Sequence, residues 1–108
     1  MLEPLEVEAE VKIEPFTIEE KIEHYGNKYN VSSDVMTNVI KCESGFNPKA
    51  VGDGGNSRGL SQIHRPSHPT ITDEQAFDED FAIEFMASEM SKGNSWMWSC
   101  WKNLYTSK

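Results

Sequence analysis

The stretch Val39-Ile40-Lys41-Cys42-Glu43-Ser44-Gly45-Phe46-Asn47-Pro48 sets a carboxylate between a cysteine and a turn. Gly45 suits a left-handed C-terminal cap and Pro48 cannot continue a helix, so Glu43 falls in the last turn of an apolar helix. The negative end of the macrodipole disfavours an anion there. A surface glutamate is poorly placed at that point. A carboxyl that must keep its proton near neutral pH is well placed, because burial and a negative helix end both raise its pKa. Downstream lie a glycine-rich flap, an amide (Gln62) and three tryptophans (Trp96, Trp98 and Trp101). This combination fits a sugar site, in which aromatic faces cover the rings, amides fix hydroxyls and the acid protonates a glycosidic oxygen.

Other combinations fit less well. His64 and His68 have ligand-like spacing, but Pro66 and Pro69 break any helix that would bring them together. Cys42 and Cys100 stand alone rather than as a Cys-x2-Cys pair, so no metal site is expected. The Gly52–Gly59 run, Gly-Asp-Gly-Gly-Asn-Ser-Arg-Gly, lacks the Gly-Lys-Ser/Thr ending of a phosphate loop. Its glycines serve tight turning or a close approach to a ligand. As a nucleophile Cys42 is disfavoured, since the charge of Glu43 would raise the thiol pKa and no activating base is evident. On their residues alone, Cys42 and Cys100 are either two buried thiols or a bridge; a bridge would close a long loop and contribute roughly 4 kcal/mol.

The elements that must position these groups are mostly helices. Thr17 and Glu20 form a capping-box signature that opens a helix to about Tyr29, with Ile18, Ile22 and Tyr25 on one face and Asn30 as a left-handed cap. Ser32 or Ser33 caps a second helix, in which Val35, Val39 and Cys42, and Met36 and Ile40, recur at helical spacing. Residues 45–59 carry five glycines and predict a turn-rich connection or small hairpin. Gly59-Leu60-Ser61-Gln62-Ile63 reads as a short helical turn aimed at the core, and His64 to Pro69 as loop. Asp78-Glu79-Asp80 suits the first turn of a third helix running to Gly93, and a terminal helix is predicted from about Trp96 to Tyr105.

A chain of 108 residues with 37% hydrophobic content suits one small domain. No apolar run is long enough to span a membrane. The net charge of −8 is uneven: residues 1–23 hold eight Glu and two Lys, and the remainder is nearly balanced. No basic stripe is present for a nucleic acid. The first residues have neither a basic n-region nor an apolar h-region, so no signal peptide is visible. Residues 1–16 read as an acidic linker or tail. The alternation of Leu5, Val7, Ala9, Val11 and Ile13 with charged residues offers an edge strand instead.

Glu43 to His64, Glu-Ser-Gly-Phe-Asn-Pro-Lys-Ala-Val-Gly-Asp-Gly-Gly-Asn-Ser-Arg-Gly-Leu-Ser-Gln-Ile-His, resembles the core motif of the lysozyme-like transglycosylase family, which joins soluble lytic transglycosylases and goose-type lysozymes. The pattern is Glu-Ser-x-Phe-x-Pro-x-Ala, a glycine-containing stretch, then Gly-Leu-x-Gln-Ile. Here it is met by Glu43, Ser44, Phe46, Pro48, Ala50, Gly59, Leu60, Gln62 and Ile63. Looser likeness extends over residues 17–105. The Ala-Tyr-Asn-Ala-Gly motif of many relatives is missing; Asn-Ser-Trp-Met-Trp-Ser-Cys-Trp stands in that part of the chain and is similar to the Trp-rich ends of small secreted lysozyme-like domains.

The resemblance implies a mainly α, lysozyme-like α+β fold over residues 17–108, with a glycine-rich loop or short hairpin after the catalytic helix. It implies a glycosidase that needs no cofactor and cuts the β-1,4 MurNAc–GlcNAc bond of peptidoglycan. By the same resemblance Glu43 is the acid/base, Ser44 hydrogen-bonds beside it, and Gln62 lies in the substrate groove. Asp53 is the best candidate for a second carboxylate near the substrate, ahead of Asp73 and Glu74. Two outcomes stay open: a lytic transglycosylase leaving a 1,6-anhydro end, or a hydrolytic muramidase. Rivals are a non-catalytic wall-binding module and a chitin-like substrate. A wall enzyme works where disulfides survive, so a Cys42–Cys100 bridge is expected. The expected setting is extracellular, at the cell envelope or delivered by a phage, and the expected state is a monomer.

Overall fold

The computed structural model describes residues 16–106. The acidic front read as residues 1–16, with its tail and strand alternatives, lies outside the described residues apart from Phe16, which is exposed. Helix α1 spans Ile18–Tyr29 and opens with the reciprocal bonds of a capping box: Glu20 N–H donates to Thr17 Oγ1, and Thr17 N–H to Glu20 Oε1. Asn30 closes it in the left-handed region at φ 58°. Helix α2, Ser33–Ser44, is capped by Ser32, whose hydroxyl accepts from Val35 N–H, and ends at Gly45 with φ 62°.

Three two-residue strands follow: β1 Val51–Gly52, β2 Ser57–Arg58 and β3 Ile63–His64. They form an antiparallel sheet in the order β1-β2-β3, with Val51 opposite Arg58, Ser57 opposite His64 and Arg58 opposite Ile63. A 3-10 turn, Asp53–Gly55, joins β1 to β2. The short helical turn expected at Gly59–Ile63 is not formed. Gly59 to Gln62 make the β2–β3 turn, closed by Gln62 N–H to Gly59 C=O, and Ile63 begins β3. Leu60 at that turn does point into the core and is fully buried.

Helix α3, Asp73–Ala76, is one turn with its own capping box, from Thr72 and Gln75. Helix α4, Glu79–Ser91, is capped by Asp78, which accepts from Phe81 N–H. The expected terminal helix is broken in two. Ser95–Met97 is a 3-10 turn, Trp98 is extended at ψ 119°, and only Ser99–Tyr105 is α-helical, as α5.

The core gathers Ile22 of α1, Met36, Val39 and Ile40 of α2, Ala82, Ile83, Met86 and Ala87 of α4, Leu60 and Trp98. Helix α1 packs on both α2 and α4, and α2 on α5. Lys21 pairs with Glu79 at 2.9 Å and Lys28 with Glu84 at 2.7 Å, pinning α1 along α4. The result is a mainly helical domain with a small sheet set beside the C-terminal end of α2. Among the described residues, no helix is long and apolar enough to cross a membrane.

Candidate active site

Glu43 reaches its position because α2 buries Met36, Val39 and Ile40 against the core and leaves the next turn facing the sheet. Its carboxylate is half-buried. Oε2 accepts one hydrogen bond, 3.2 Å from the backbone N–H of Cys100. Burial pushes the Glu43 pKa above the ordinary 4.5, and the Cys100 N–H opposes that shift in part. Glu43 is thus biased toward keeping its proton.

A cleft of about 570 Å³ opens over it. One wall is the sheet, with Gly52, Asp53, Ser57, Gln62 and His64; the other is the segment Met97, Trp98, Ser99 and Lys102. A size of a few hundred Å³ and a mixture of apolar and hydrogen-bonding groups suit a bound sugar unit. The walls are joined underneath, where the Trp98 indole Nε1–H donates to the Ser61 carbonyl at 2.7 Å. Trp98 is 4% exposed and meets Phe85 edge-on. The Ser61 hydroxyl, in the same buried place, has no hydrogen-bond partner among the described residues.

A disulfide links Cys42 to Cys100, with Cα atoms 6.0 Å apart. It joins the residue before the acid to the residue whose N–H holds the acid. Helix α5 therefore carries the donor to Glu43 on a covalent tether to α2.

The sheet wall is shaped by unusual backbone. Asp53 and Gln62 both hold left-handed conformations, at φ 58° and 51°, which cost non-glycine residues energy and concentrate at functional sites. Gln62 Nε2 donates to the carbonyls of Ala50 at 3.2 Å and Gly59 at 2.9 Å, so its amide is locked to the hairpin backbone. Its Oε1 lies over Gly52, where a Cβ would collide with it. Gly59, at φ 84°, presses on the carbonyl of Ala76. Asp53 Oδ2 lies 3.5 Å from Ser57 Oγ and 3.6 Å from His64 Nε2, and His64 Nδ1 is 2.7 Å from Ser67 Oγ.

Glu43, Asp53 and Gln62 are thus brought to one cleft. Ser44 is not among its lining residues; its hydroxyl donates to Ile40 C=O at 3.1 Å, within its own helix. Asp73 lies elsewhere, near Arg58 and Arg65, on a separate cavity of about 530 Å³. Glu74 is exposed on α3. Trp98 is core, Trp101 is partly buried against it, and Trp96 is 61% exposed. His64 lines the cleft while His68 packs on Phe85. Among the described residues, no three His, Cys, Asp or Glu side chains gather as metal ligands.

Sequence reasoning passed over Ser57, Ser99 and Lys102, and weighed His64 only as a metal ligand. The signal for Ser57 and His64 is their pairing across the sheet, which two-residue strands do not announce. Lys102 follows Trp98 by one helical turn, and that phase depends on where α5 begins.

No curated protein and no solved structure matches the chain significantly. A family model does: residues 20–98 match the transglycosylase SLT domain. That span contains Glu43, the whole sheet, α3, α4 and Trp98. Family membership brings with it the lysozyme-like helical fold and peptidoglycan as the family's substrate. The chain belongs to the SLT transglycosylase domain family.

Proposed function

We propose that the chain cleaves the β-1,4 bond between N-acetylmuramic acid and N-acetylglucosamine with Glu43 as its single acid and base, leaving a 1,6-anhydro end. The observation that carries this reading is the half-buried Glu43 at the cleft, with its proton favoured by burial. Protonated Glu43 gives its proton to the glycosidic oxygen as the C1–O bond breaks and an oxocarbenium-like centre forms. The carboxylate left behind then takes the proton of the muramyl 6-hydroxyl while that oxygen bonds to C1. The proton count closes and Glu43 returns to its starting form. Gln62, locked to the hairpin, and Trp98, at the base of the opposite wall, support placement of the sugar. Ser44 supports the end of the acid's helix.

A second reading is hydrolysis, and Asp53 favours it. A second carboxylate on the facing wall, beside Ser57 and His64, suits a group that holds an attacking water. Mass spectrometry of digested peptidoglycan separates the two, because anhydro products lack one water. Asp53→Asn should leave anhydro products unchanged in the first reading and suppress hydrated ones in the second. If Glu43→Gln cleared walls as fast as the parent, Glu43 would not be the acid and both readings would fail; a parent that binds walls but releases no product would instead be a wall-binding module. Action on peptidoglycan supports an extracellular or envelope setting, with phage delivery as one route. A monomer is sufficient, since both walls of the cleft come from one chain.

A further inference from the structure

Lys102 stands on the α5 wall of the cleft, across from Asp53 and His64. Its placement is firm. The backbone N–H donates to Trp98 C=O at 3.1 Å, and the carbonyl accepts from the Thr106 hydroxyl at 2.7 Å. Two anchors hold the start of α5 below it: the buried Trp98 indole and the bridge at Cys100. A charge on a rigid element aimed at a cleft is positioned to recognise something.

That something is not Glu43. The acid takes its hydrogen bond from the Cys100 N–H and forms no ion pair among the described residues. Nor is it another protein carboxylate: among the described residues the Lys102 ammonium has no ion pair, although Glu43 and Asp53 line the same cleft. Lys21, Lys28 and Lys92 each pair with a neighbouring acid, and of the described lysines without an ion pair, Lys41, Lys49 and Lys102, Lys102 is the one that lines this cleft. In a chain of 18 acids and 10 bases, a cation left free at a substrate cleft is best matched by an anion that arrives with the substrate.

We propose that Lys102 is a specificity residue that binds a carboxylate carried on the lactyl arm of the glycan. This rests on the glycan-cleaving reading above and adds what that cleft selects. Sugars of the N-acetylglucosamine type are neutral. A muramyl sugar carries an acid, either the lactyl carboxylate itself or those of the peptide joined to it. The cation therefore separates a muramyl polymer from a chitin-like one, by charge rather than by ring shape.

The test crosses Lys102→Gln with removal of the substrate's charge. Cleavage is followed on glycan strands as isolated and after their carboxylates have been converted to methyl amides. Either change alone should raise KM about three-fold, the range of an exposed charge pair, with kcat kept. Both changes together should raise KM no further than one. Added salt should weaken the parent's advantage, and Lys102→Arg should restore most of it. Running the cross on strands that keep their stem peptides and on strands stripped of them tells which carboxylate is bound. Additive effects of the two changes, or a Lys102→Gln variant with the parent's KM, would overturn the inference. Failure of the glycan-cleaving reading looks different: the parent itself would release no product.

Discussion

Replacing both Cys42 and Cys100 with serine should cost the domain a large share of its stability. The bridge joins residues 58 apart, and in the chain-entropy description a closed loop of that size contributes about 4 kcal/mol at 25 °C. Small domains have total stabilities of only about 5–15 kcal/mol, so this is a large share. For a domain near 100 residues it corresponds to a fall in Tm of roughly 15–30 °C. Other contacts will hold α5 in part, because Trp98 stays buried and keeps its bond to Ser61. The double variant should therefore fold at low temperature and melt early, rather than fail to fold. Urea titrations of the oxidised parent, the reduced parent and the double-serine variant measure the effect. The last two should agree with each other and differ from the first by several kcal/mol. A difference below about 1 kcal/mol would refute the loop-entropy reasoning.

Four further outcomes are expected. Glu43→Gln should lower cleavage by at least about 100-fold, measured as release of soluble glycan. The same variant should lack a pH dependence of stability that the parent's Glu43 supplies. A carboxyl whose pKa is raised by folding favours the native state below its unfolded value near 4.5, and that contribution is lost as pH rises through the folded pKa. Glu43→Gln should thus unfold at higher urea than the parent at pH 7 and lose this advantage in acid; a gain that was largest in acid would contradict the sign. Gly59→Ala, which puts a Cβ into the Ala76 carbonyl at a left-handed position, should cost about 2–4 kcal/mol by urea titration. Ser61→Ala removes a buried hydroxyl with no partner and should be neutral or stabilising by up to about 1 kcal/mol; a clear loss would mean the hydroxyl has a partner.

The helical frame was legible wherever a local signal carried it. Thr17 with Glu20 and Gly45 announce boundaries through short-range chemistry that stand where that chemistry puts them; of Ser32 and Ser33 the first is the cap, and Asp78, expected in the first turn, is the cap of α4. The position of Glu43 was legible for a related reason, since a residue in the last turn before a left-handed glycine can be placed without tertiary information. The sheet was not. Two-residue strands are too short for a period of two to emerge, so Gly59–Ile63 resembled a helical turn when it is a β-turn leading into β3. The helix α3 was hidden inside an acidic run, although Thr72 and Gln75 carry a capping box. Trp98 defeated the terminal helix because its indole must reach Ser61, a long-range demand that overrides local propensity. Cleft residues such as His64 and Lys102 depend on that sheet register and that break, so they became visible only with the fold.

The bond from the Trp98 indole to Ser61 sets what kind of machine this cleft is. It ties one wall to the other at the bottom, out of reach of water, where losing it would strand a buried donor and acceptor at a cost of several kcal/mol. Hinged jaws draw on a ligand's affinity to swing shut. A slot whose walls are bonded at the floor has no such joint at that point. The spacing of its two walls is then a property of the fold, fixed by one buried bond and one disulfide rather than by a hinge.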